Sequence, residues 1–274
     1  MAQDPRALLQ KADKAASGAG GGFSLFGGRG EKWENAADLY TQAANAFRMQ
    51  KLTKEAGQAF ESAASIQLSK LSEPDDAANT CLDLAINHYT GKGNFRRAAT
   101  HKQNLAELYE QEIGDQKKAI ESYEMAASWF ESDNAEALAN KLYLKVGELA
   151  ALDGDYYKAV EHFEKVATSA VSNNLMKWSV KDYFLKAGLC LLAIGDMVAV
   201  NRAFEKYRTL DSTFASTKEH QLLVDLAEAV DAGDQVAFGD KLFQYDQMSK
   251  LDNWKTAILL KIKNAIEEKE EDFS

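Results

Sequence analysis

The segment Gly22–Gly27 has the glycine spacing of a phosphate-binding loop, in which backbone N–H groups would hold the phosphates of a nucleotide. Such a loop also needs Lys followed by Ser or Thr after its last glycine, and Gly28 and Arg29 occupy those positions here. No predicted β-strand precedes the segment, although the motif follows a strand where it works. The sequence therefore argues against nucleotide binding, and we expect no cofactor.

Metal-ligating and nucleophilic residue types are scattered along the chain. The histidines lie singly in different predicted helices, without Cys or His at metal-ligand spacing; they are His88, His101, His162 and His220. Cys81 and Cys190 lie 109 residues apart and make no disulfide framework. The adjacent Asp75 and Asp76 are better explained by helix capping than by a metal. No pairing of nucleophile and base stands out, and we predict a protein that is not an enzyme.

Composition narrows the class of partner. The formal net charge of −10 argues against nucleic acid, because affinity for nucleic acid rests on a basic surface. The first residues, MAQDPRALLQKADKAA, are too polar for a signal peptide. The apolar run Leu189–Ile194 is far shorter than the ~20 residues that span a bilayer. We expect a soluble protein of a reducing compartment.

A Gly-Asp pair recurs at the spacing of helical hairpins. Successive pairs begin 40, 41 and 38 residues apart; they are Gly114-Asp115, Gly154-Asp155, Gly195-Asp196 and Gly233-Asp234. The first three open related segments, GDQKKAIESYEMAA, GDYYKAVEHFEKVA and GDMVAVNRAFEKYR. Each segment is typical of a tight turn followed by a helix with Ala and aromatic residues on one face. A period near 40 indicates stacked helical hairpins.

Helical periodicity extends over most of the chain, apart from a Gly-dense loop predicted at Ser17–Glu31. The predicted helices cover 1–16, 32–49, 53–70, 75–90, 94–112, 116–132, 135–152, 156–169, 180–194, 197–208, 214–231, 235–249 and 251–266. In the first, Asp4 can cap the helix and Pro5 suits an early helical position. The last has an apolar face and is expected to dock on the preceding hairpins, since a terminal repeat must cover the open end of the stack.

Four stretches together resemble the alpha soluble NSF attachment protein family: GGGFSLFGG, GNFRRAA at 93–99, KWSVKDYFLKAGLC at 177–190, and LDNWKTAILLKIK with the acidic end EEDFS. The likeness covers nearly the whole chain. It implies an all-α fold class, a right-handed tetratricopeptide-like solenoid of antiparallel helical hairpins with a C-terminal helical bundle. The implied domains are an N-terminal helix and loop (1–31), a twisted sheet of hairpins (32–212) and the bundle with its acidic tail (213–274).

The resemblance also implies a function. Members of the family bind assembled four-helix SNARE complexes and recruit and stimulate the hexameric ATPase NSF, which disassembles the SNAREs during vesicle fusion and intracellular protein transport. Such a protein would be cytoplasmic and peripheral on membranes. One alternative is a tetratricopeptide-type co-chaperone, which would need a concave Lys/Arg/Asn clamp for a peptide carboxylate. Another is an all-helical transferase subunit, which would need a metal or nucleophile set.

Two kinds of contact residue follow from the resemblance. The apolar loop residues Phe23, Leu25 and Phe26 are expected to touch the membrane, although they could instead fold back on the first helices. The residues expected to bind SNAREs are basic: Arg96, Arg97, Lys102, Lys141, Lys145, Lys181 and Lys218. For any one of them a solvated surface cation is the ordinary alternative.

The resemblance assigns the acidic residues to the ATPase. The residues expected to contact NSF are Asp196, Glu228, Asp231, Glu270, Glu271, Asp272 and Phe273. The ordinary alternative for the last four is a frayed terminus. Relatives usually carry Leu where this chain has Phe273, so the strength of ATPase stimulation stays open.

The chain departs from the family pattern between Pro74 and Gly93, where the family has a complete hairpin. The segment DDAANTCLDLAINHYTGKG is long enough for one helix only. About half of one ~34–40-residue repeat is missing. We therefore predict a single helix at 75–90 and an altered angle between the N-terminal hairpins and the rest of the chain.

Overall fold

The structure, a computed structural model, describes residues 4–20, 28–71 and 82–272, without the side chains of Arg29 and residues 267–272. Its α-helices are α1 Pro5–Gly20, α2 Gly28–Met49, α3 Thr53–Ile66, α4 Asp83–Gly91, α5 Phe95–Leu108, α6 Gln116–Ser132, α7 Glu136–Asp153, α8 Tyr156–Val171, α9 Val180–Ile194, α10 Met197–Leu210, α11 Lys218–Ala232, α12 Gln235–Met248 and α13 Asn253–Asp272. One turn of π-helix extends α3 and another extends α5, at Gln67–Leu71 and Tyr109–Ile113.

No β-strand occurs in these described ranges, so the predicted all-α fold class of tetratricopeptide-like hairpins is confirmed. The chain divides into two compact units, unit 1 (Met1–Leu142) and unit 2 (Tyr143–Ser274). In unit 1, neighbouring helices along the chain pack as α1 on α2, α2 on α3, α4 on α5 and α5 on α6. In unit 2, α8 packs on α9, and α9 also contacts α10, α11 and α13. Helix α9 is therefore the centre of unit 2.

The recurrent Gly-Asp pairs are the turns between helices, as predicted. Their glycines adopt left-handed backbone conformations, with φ of 78° at Gly114, 94° at Gly154, 82° at Gly195 and 67° at Gly233. A residue without Cβ adopts such angles without strain. The following Asp then accepts a hydrogen bond from the first turn of the next helix, as Asp155 Oδ1 does from the N–H of Lys158 at 3.1 Å. Each pair thus ends one helix and starts another.

Gly93 and Asn94 form a fifth turn of this type, with Asn in place of Asp. Gly93 has φ of 71°, and Asn94 Oδ1 accepts a hydrogen bond from the N–H of Arg97 at 3.3 Å. Asn caps helices about as well as Asp, because its side-chain oxygen accepts the same bond. A search for Gly-Asp alone therefore misses this member of the repeat.

We expect Asp155→Ala to lower the free energy of unfolding by about 1 kcal/mol, because an N–H in the first turn of α8 would lose its acceptor. Glu161→Ala is the matched control, since Glu161 is an exposed acid on the same helix. The urea midpoint of each variant measures the difference. Equal midpoints for the two variants would show that the cap is not stabilising.

Three predicted boundaries are wrong. The loop predicted at Ser17–Glu31 is shorter, because α1 continues to Gly20 and α2 begins at Gly28. Ala19 is only 2% exposed and Ser17 Oγ donates to the carbonyl of Asp13 at 2.8 Å, so packing and side-chain hydrogen bonding favour the added turn of α1. The helix predicted at 214–231 begins at Lys218, after a separate 3₁₀ turn, because Thr217 caps it by accepting from the N–H of His220.

The helix predicted at 75–90 is described only in part. Its described portion is α4, Asp83–Gly91, which packs against both α3 and α5. Residues 72–81 lie outside the described ranges. The prediction of a single helix there stays a prediction, as do the altered hairpin angle and the domain boundaries at 31 and 212.

The C-terminal helix docks on unit 2 through its apolar face, as predicted. Ile258, Leu259, Ile262 and Ile266 are buried, and Trp254 packs edge-on against Phe163 with ring centroids 5.5 Å apart. The packing removes the apolar face of α13 from water, which stabilises the end of the array.

Polar contacts fix the same docking. Trp254 Nε1 donates to the carbonyl of Glu148 at 3.0 Å. Lys255 is buried between Asp182 and Asp252, at 2.8 and 2.7 Å, and Lys186 pairs with Glu148 at 2.6 Å. Burial works against the charged form of Lys255, but its bonds to Asp182 and Asp252 outweigh it and raise the pKa of the ammonium. The two most specific stretches of the family resemblance, 177–190 and 251–263, therefore meet in this interface.

Candidate functional site: basic and acidic surfaces

The three basic residues predicted on α5 all have acidic neighbours. Arg96 Nε donates to Asp133 Oδ2 at 2.7 Å, and Lys102 lies 4.0 Å from Asp83. Arg97 donates to both carboxylate oxygens of Glu61, at 3.2 and 2.8 Å. These pairs join different helices of unit 1, so the structure gives the side chains a packing role that the sequence did not indicate. Arg96 is the most exposed of them, with 61% of its side chain accessible.

Glu61 is the centre of a largely buried polar cluster in unit 1. Besides Arg97 it contacts His101, whose Nε2 lies 2.6 Å from Glu61 Oε1. Tyr89 stacks on His101 and lies under the guanidinium of Arg97, 4.8 Å from its ring centroid. Burial alone would raise the pKa of Glu61, but hydrogen bonds from His101 and Arg97 outweigh burial and lower that pKa to about 2. Glu61 is therefore a structural anion.

Lys141 and Lys145 share a face of α7, four residues apart, as the sequence predicts. Lys141 is exposed, and no acidic side chain in the described part of the chain forms an ion pair with it. Lys145 is half-buried. Lys141 is therefore well placed to meet an acidic partner.

Lys181 and Lys218 both neighbour a buried acid in unit 2. Lys181 Nζ lies 3.1 Å from Oε1 of Glu219, which is only 6% exposed and follows Lys218 in the chain. Lys218 extends over the ring of Tyr245, with its ammonium 5.8 Å from the ring centroid. Both lysines stand in the first turns of packed helices, α9 and α11. The acid fixes Lys181 in place.

Two exposed apolar residues that shortly precede Lys181 in the chain were not predicted as contacts from the sequence. Leu175 is 91% exposed and Trp178 is 77% exposed, in the connection between α8 and α9. Lys177 lies over the indole of Trp178, 5.6 Å from its centroid. Apolar residues in the polar stretch SNNLMKWS, which has no helical period to bury them, were the available signal. We call Leu175, Trp178, Lys181 and Lys218 the basic surface of unit 2.

The predicted acidic residues Asp196, Glu228 and Asp231 are all exposed in unit 2. Asp196 also caps α10, since its Oδ1 accepts hydrogen bonds from the N–H groups of Val198 and Ala199, both at 3.0 Å. Glu228 and Asp231 border one shallow cleft of about 320 Å³ near the end of α11. A carboxylate near a helix C-terminus works against the helix dipole, so stability does not explain them. We call these three residues the acidic surface.

The remaining predicted contacts cannot be placed. Phe23, Leu25, Phe26 and Phe273 lie outside the described residues, and so do the side chains of Glu270, Glu271 and Asp272. Within the residues that are described, no three His, Cys, Asp or Glu side chains come together in a way that suits a metal ion. None of the helices described has the length and apolar character needed to cross a membrane.

Relatives of known name support the family resemblance. The chain is 52% identical to "Probable vesicular-fusion protein sec17 homolog" of Neurospora crassa, with both chains fully covered. It is 38% identical to "Alpha-soluble NSF attachment protein" of Saccharomyces cerevisiae, over 98% of this chain and 99% of the relative. Among solved structures, the match to "Crystal structure of C. therm. Get4" covers 93% of this chain and 87% of the Get4 chain. Its identity is 14% and its TM-score 0.39, too low to add to the description of the fold.

The same comparisons bear on the shortened segment. The alignment with the Neurospora crassa relative spans 292 positions over all of this 274-residue chain, so at least 18 positions (292 less 274) have no residue here. The family model described as "Soluble NSF attachment protein, SNAP" matches in two parts, residues 3–83 and 78–267, which meet where the shortening is predicted. Together the two matches cover most of the sequence. The chain therefore belongs to the soluble NSF attachment protein family.

Proposed function

We propose that this chain is an adaptor that binds assembled SNARE complexes, recruits an NSF-type hexameric ATPase and stimulates it, and so promotes SNARE disassembly in vesicle fusion and intracellular protein transport. The observation that carries the proposal is the separation of charge along unit 2. Lys181 and Lys218 stand at the N-terminal ends of α9 and α11, whereas Glu228 and Asp231 stand at the C-terminal end of α11. One helical unit thus offers a cationic and an anionic contact.

The two surfaces are far enough apart to hold different partners at once. Helix α9 has 15 residues, so its ends are ~22 Å apart at 1.5 Å per residue. Lys181 lies at its first turn and Asp196 directly follows its last. This separation exceeds the Debye length of ~8 Å at physiological salt. Binding at one surface therefore leaves the other electrostatically available.

The basic surface suits an acidic helical bundle of variable sequence. Lysines attract carboxylates without demanding one geometry, since the ammonium is a compact charge on a flexible stem. Leu175 and Trp178 add apolar contact that salt does not screen. Lys141, in unit 1, is a further exposed cation. We assign the main SNARE contacts to the basic surface of unit 2 and to Lys141. The other predicted basic residues would add weaker contacts; they are Arg96, Arg97, Lys102 and Lys145.

The acidic surface suits the basic N-terminal domains of the ATPase. Asp196, Glu228 and Asp231 would be joined by the acids of the tail, Glu270, Glu271 and Asp272. Phe273 would supply the apolar residue that stimulates ATP hydrolysis in the family. Attraction of this kind speeds encounter and weakens with salt. A weak, salt-sensitive contact allows the ATPase to leave after each round.

The chain would work at a membrane surface without spanning it. Three apolar loop residues, Phe23, Leu25 and Phe26, would insert into the headgroup region and supply modest affinity. A second signal is needed for stable attachment, as with a single lipid chain. The membrane-anchored SNARE complex would provide it. The expected location is therefore cytoplasmic, on vacuolar or other endomembrane surfaces.

The test is ATP-dependent disassembly of a purified SNARE complex by the ATPase, with and without this chain. We expect disassembly only when the chain is added, and a decline as salt is raised. In Lys141→Glu/Lys218→Glu, the affinity for SNAREs should fall by about tenfold or more, because two attractive contacts become repulsive. Lys54→Glu/Lys117→Glu changes two exposed lysines outside the proposed contacts by the same total charge and should behave as the unmodified chain. Equal loss in both variants, or disassembly without the chain, would contradict the proposal.

A further inference from the structure

A cleft of about 650 Å³ opens where α9 and α11 end. Its apolar side chains are the buried Leu192, Ile262 and Ile266 and the half-buried Ile194, Met197 and Val230, and they share the lining with polar surface that includes Asp231. Its volume is in the range of sites that enclose a small molecule or a large side chain. We call it the apolar cleft.

The surroundings of the apolar cleft are negative. Asp231 lines it and also lines the neighbouring cleft, where the acids Glu205 and Glu228 outnumber the one base, Arg208. The helices α9 and α11 end there at Gly195 and Gly233, which both line the cleft. The C-terminal end of a helix carries the negative end of its dipole. Asp231 is the one charged side chain among the described residues that line the cleft.

An apolar floor with an anionic rim is the arrangement of a protein-binding hot spot. A large side chain enters a desolvated pocket, while the charged groups around it orient the partner and exclude water. The complementary partner carries an apolar residue flanked by Lys or Arg. An acidic or purely hydrophilic segment would leave the floor exposed or meet repulsion at the rim.

We propose that the apolar cleft receives one large apolar side chain from a basic segment of the ATPase partner. This inference rests on the proposed function and makes it more specific, since the acidic surface alone predicts purely electrostatic attachment. A buried apolar side chain contributes affinity that salt does not screen, whereas the rim charges contribute affinity that salt does. Attachment of the ATPase therefore has a salt-resistant part centred on the cleft.

The cleft can be filled without removing any core side chain. Ala265 is exposed on α13 and lines the cleft, so Ala265→Phe places a ring in it while every apolar residue of the floor remains. Asn264→Phe is the matched control, because Asn264 is the exposed neighbour on the same helix and does not line the cleft. Thermal unfolding of both variants checks that α13 stays docked.

Binding of the purified ATPase hexamer to the full chain on a SNARE complex is measured at about 0.05 M and about 0.5 M salt. The higher salt shortens the Debye length and so screens the charges of the rim. We expect Ala265→Phe to weaken ATPase binding by about tenfold at both salt concentrations, with SNARE binding unchanged. Asn264→Phe should bind the ATPase as the unmodified chain does. The salt dependence itself should be alike in all three proteins, because the rim charges are retained.

Three outcomes would overturn the inference. Ala265→Phe could bind the ATPase with the unmodified affinity at both salts, while SNARE disassembly proceeds; the adaptor function would then stand without the cleft. Removal of residues 273–274 could reproduce the loss seen in Ala265→Phe, with no further loss in the combined variant, which would place the chain's own Phe273 in the cleft. Sedimentation could show that Ala265→Phe breaks up a dimer of this chain. If the unmodified chain bound no ATPase at either salt, the proposed function and the inference would both fail.

Discussion

Trp254→Ala is expected to lower the free energy of unfolding by about 3 kcal/mol, the low end for truncating a tryptophan, because Trp254 is only partly buried. The variant loses the edge contact with Phe163 and leaves the carbonyl of Glu148 without its indole donor. It also removes the ring that lies 5.5 Å from the ammonium of Lys186. Denaturant unfolding followed by circular dichroism measures the loss.

Two further substitutions separate the causes. Trp254→Phe keeps an aromatic ring but not the indole N–H, so it should cost about 1 kcal/mol, the usual value of one hydrogen bond. Trp178→Ala removes a tryptophan that is exposed rather than docked, so its unfolding midpoint should match that of the unmodified chain. If Trp254→Ala were as stable as Trp178→Ala, the docking of α13 would not depend on this residue.

Glu61→Gln is expected to remove a pH-dependent contribution of about 2 kcal/mol at neutral pH. The pKa of Glu61 is lowered from 4.5 to about 2 in the folded chain, because its hydrogen bonds, first of all the one with His101, outweigh the opposing effect of burial. Each unit of pKa difference corresponds to about 1.4 kcal/mol, and solvent screening at this half-buried site reduces the sum. A lowered carboxyl pKa stabilises the folded state above the unfolded pKa and ceases to do so as pH falls towards 2.

The free energy of unfolding, measured between about pH 5 and pH 2, tests this assignment. The unmodified chain should lose stability faster than Glu61→Gln across that window. Glu121→Gln is the control, because Glu121 is an exposed acid of unit 1. Parallel curves for the unmodified chain and Glu61→Gln would mean that Glu61 does not hold the hairpins together.

The helices and their turns could be predicted from the sequence because their causes are local. Apolar residues three and four apart decide which face of a helix is buried, and a Gly followed by Asp decides where one helix ends and the next begins. Tyr123 and Phe163, for example, are aromatic residues of two of the Gly-Asp segments whose Ala and aromatic face was predicted, and both are buried. Errors occurred at Ser17–Gly20 and at Phe214, where packing or a side-chain cap overrode the local preference of the residues.

The partners of the charged residues could not be predicted from the sequence, because they are distant along it. Arg97 binds Glu61 across 36 residues, and Trp254 binds the carbonyl of Glu148 across 106. Lys181 was expected to contact SNAREs, but its buried neighbour Glu219, 3.1 Å from its ammonium, was not predicted.

The sequence by itself therefore determined the all-α hairpin fold, the family and the sign of charge at each candidate contact. Only the tertiary structure decided which cations have an acid of the same chain beside them, that Leu175 and Trp178 stay exposed in the connection before Lys181, and that a cleft with apolar side chains forms beside Asp231. The physical reason is that helix formation depends on neighbours within one turn, whereas burial and ion pairing depend on which helices come together.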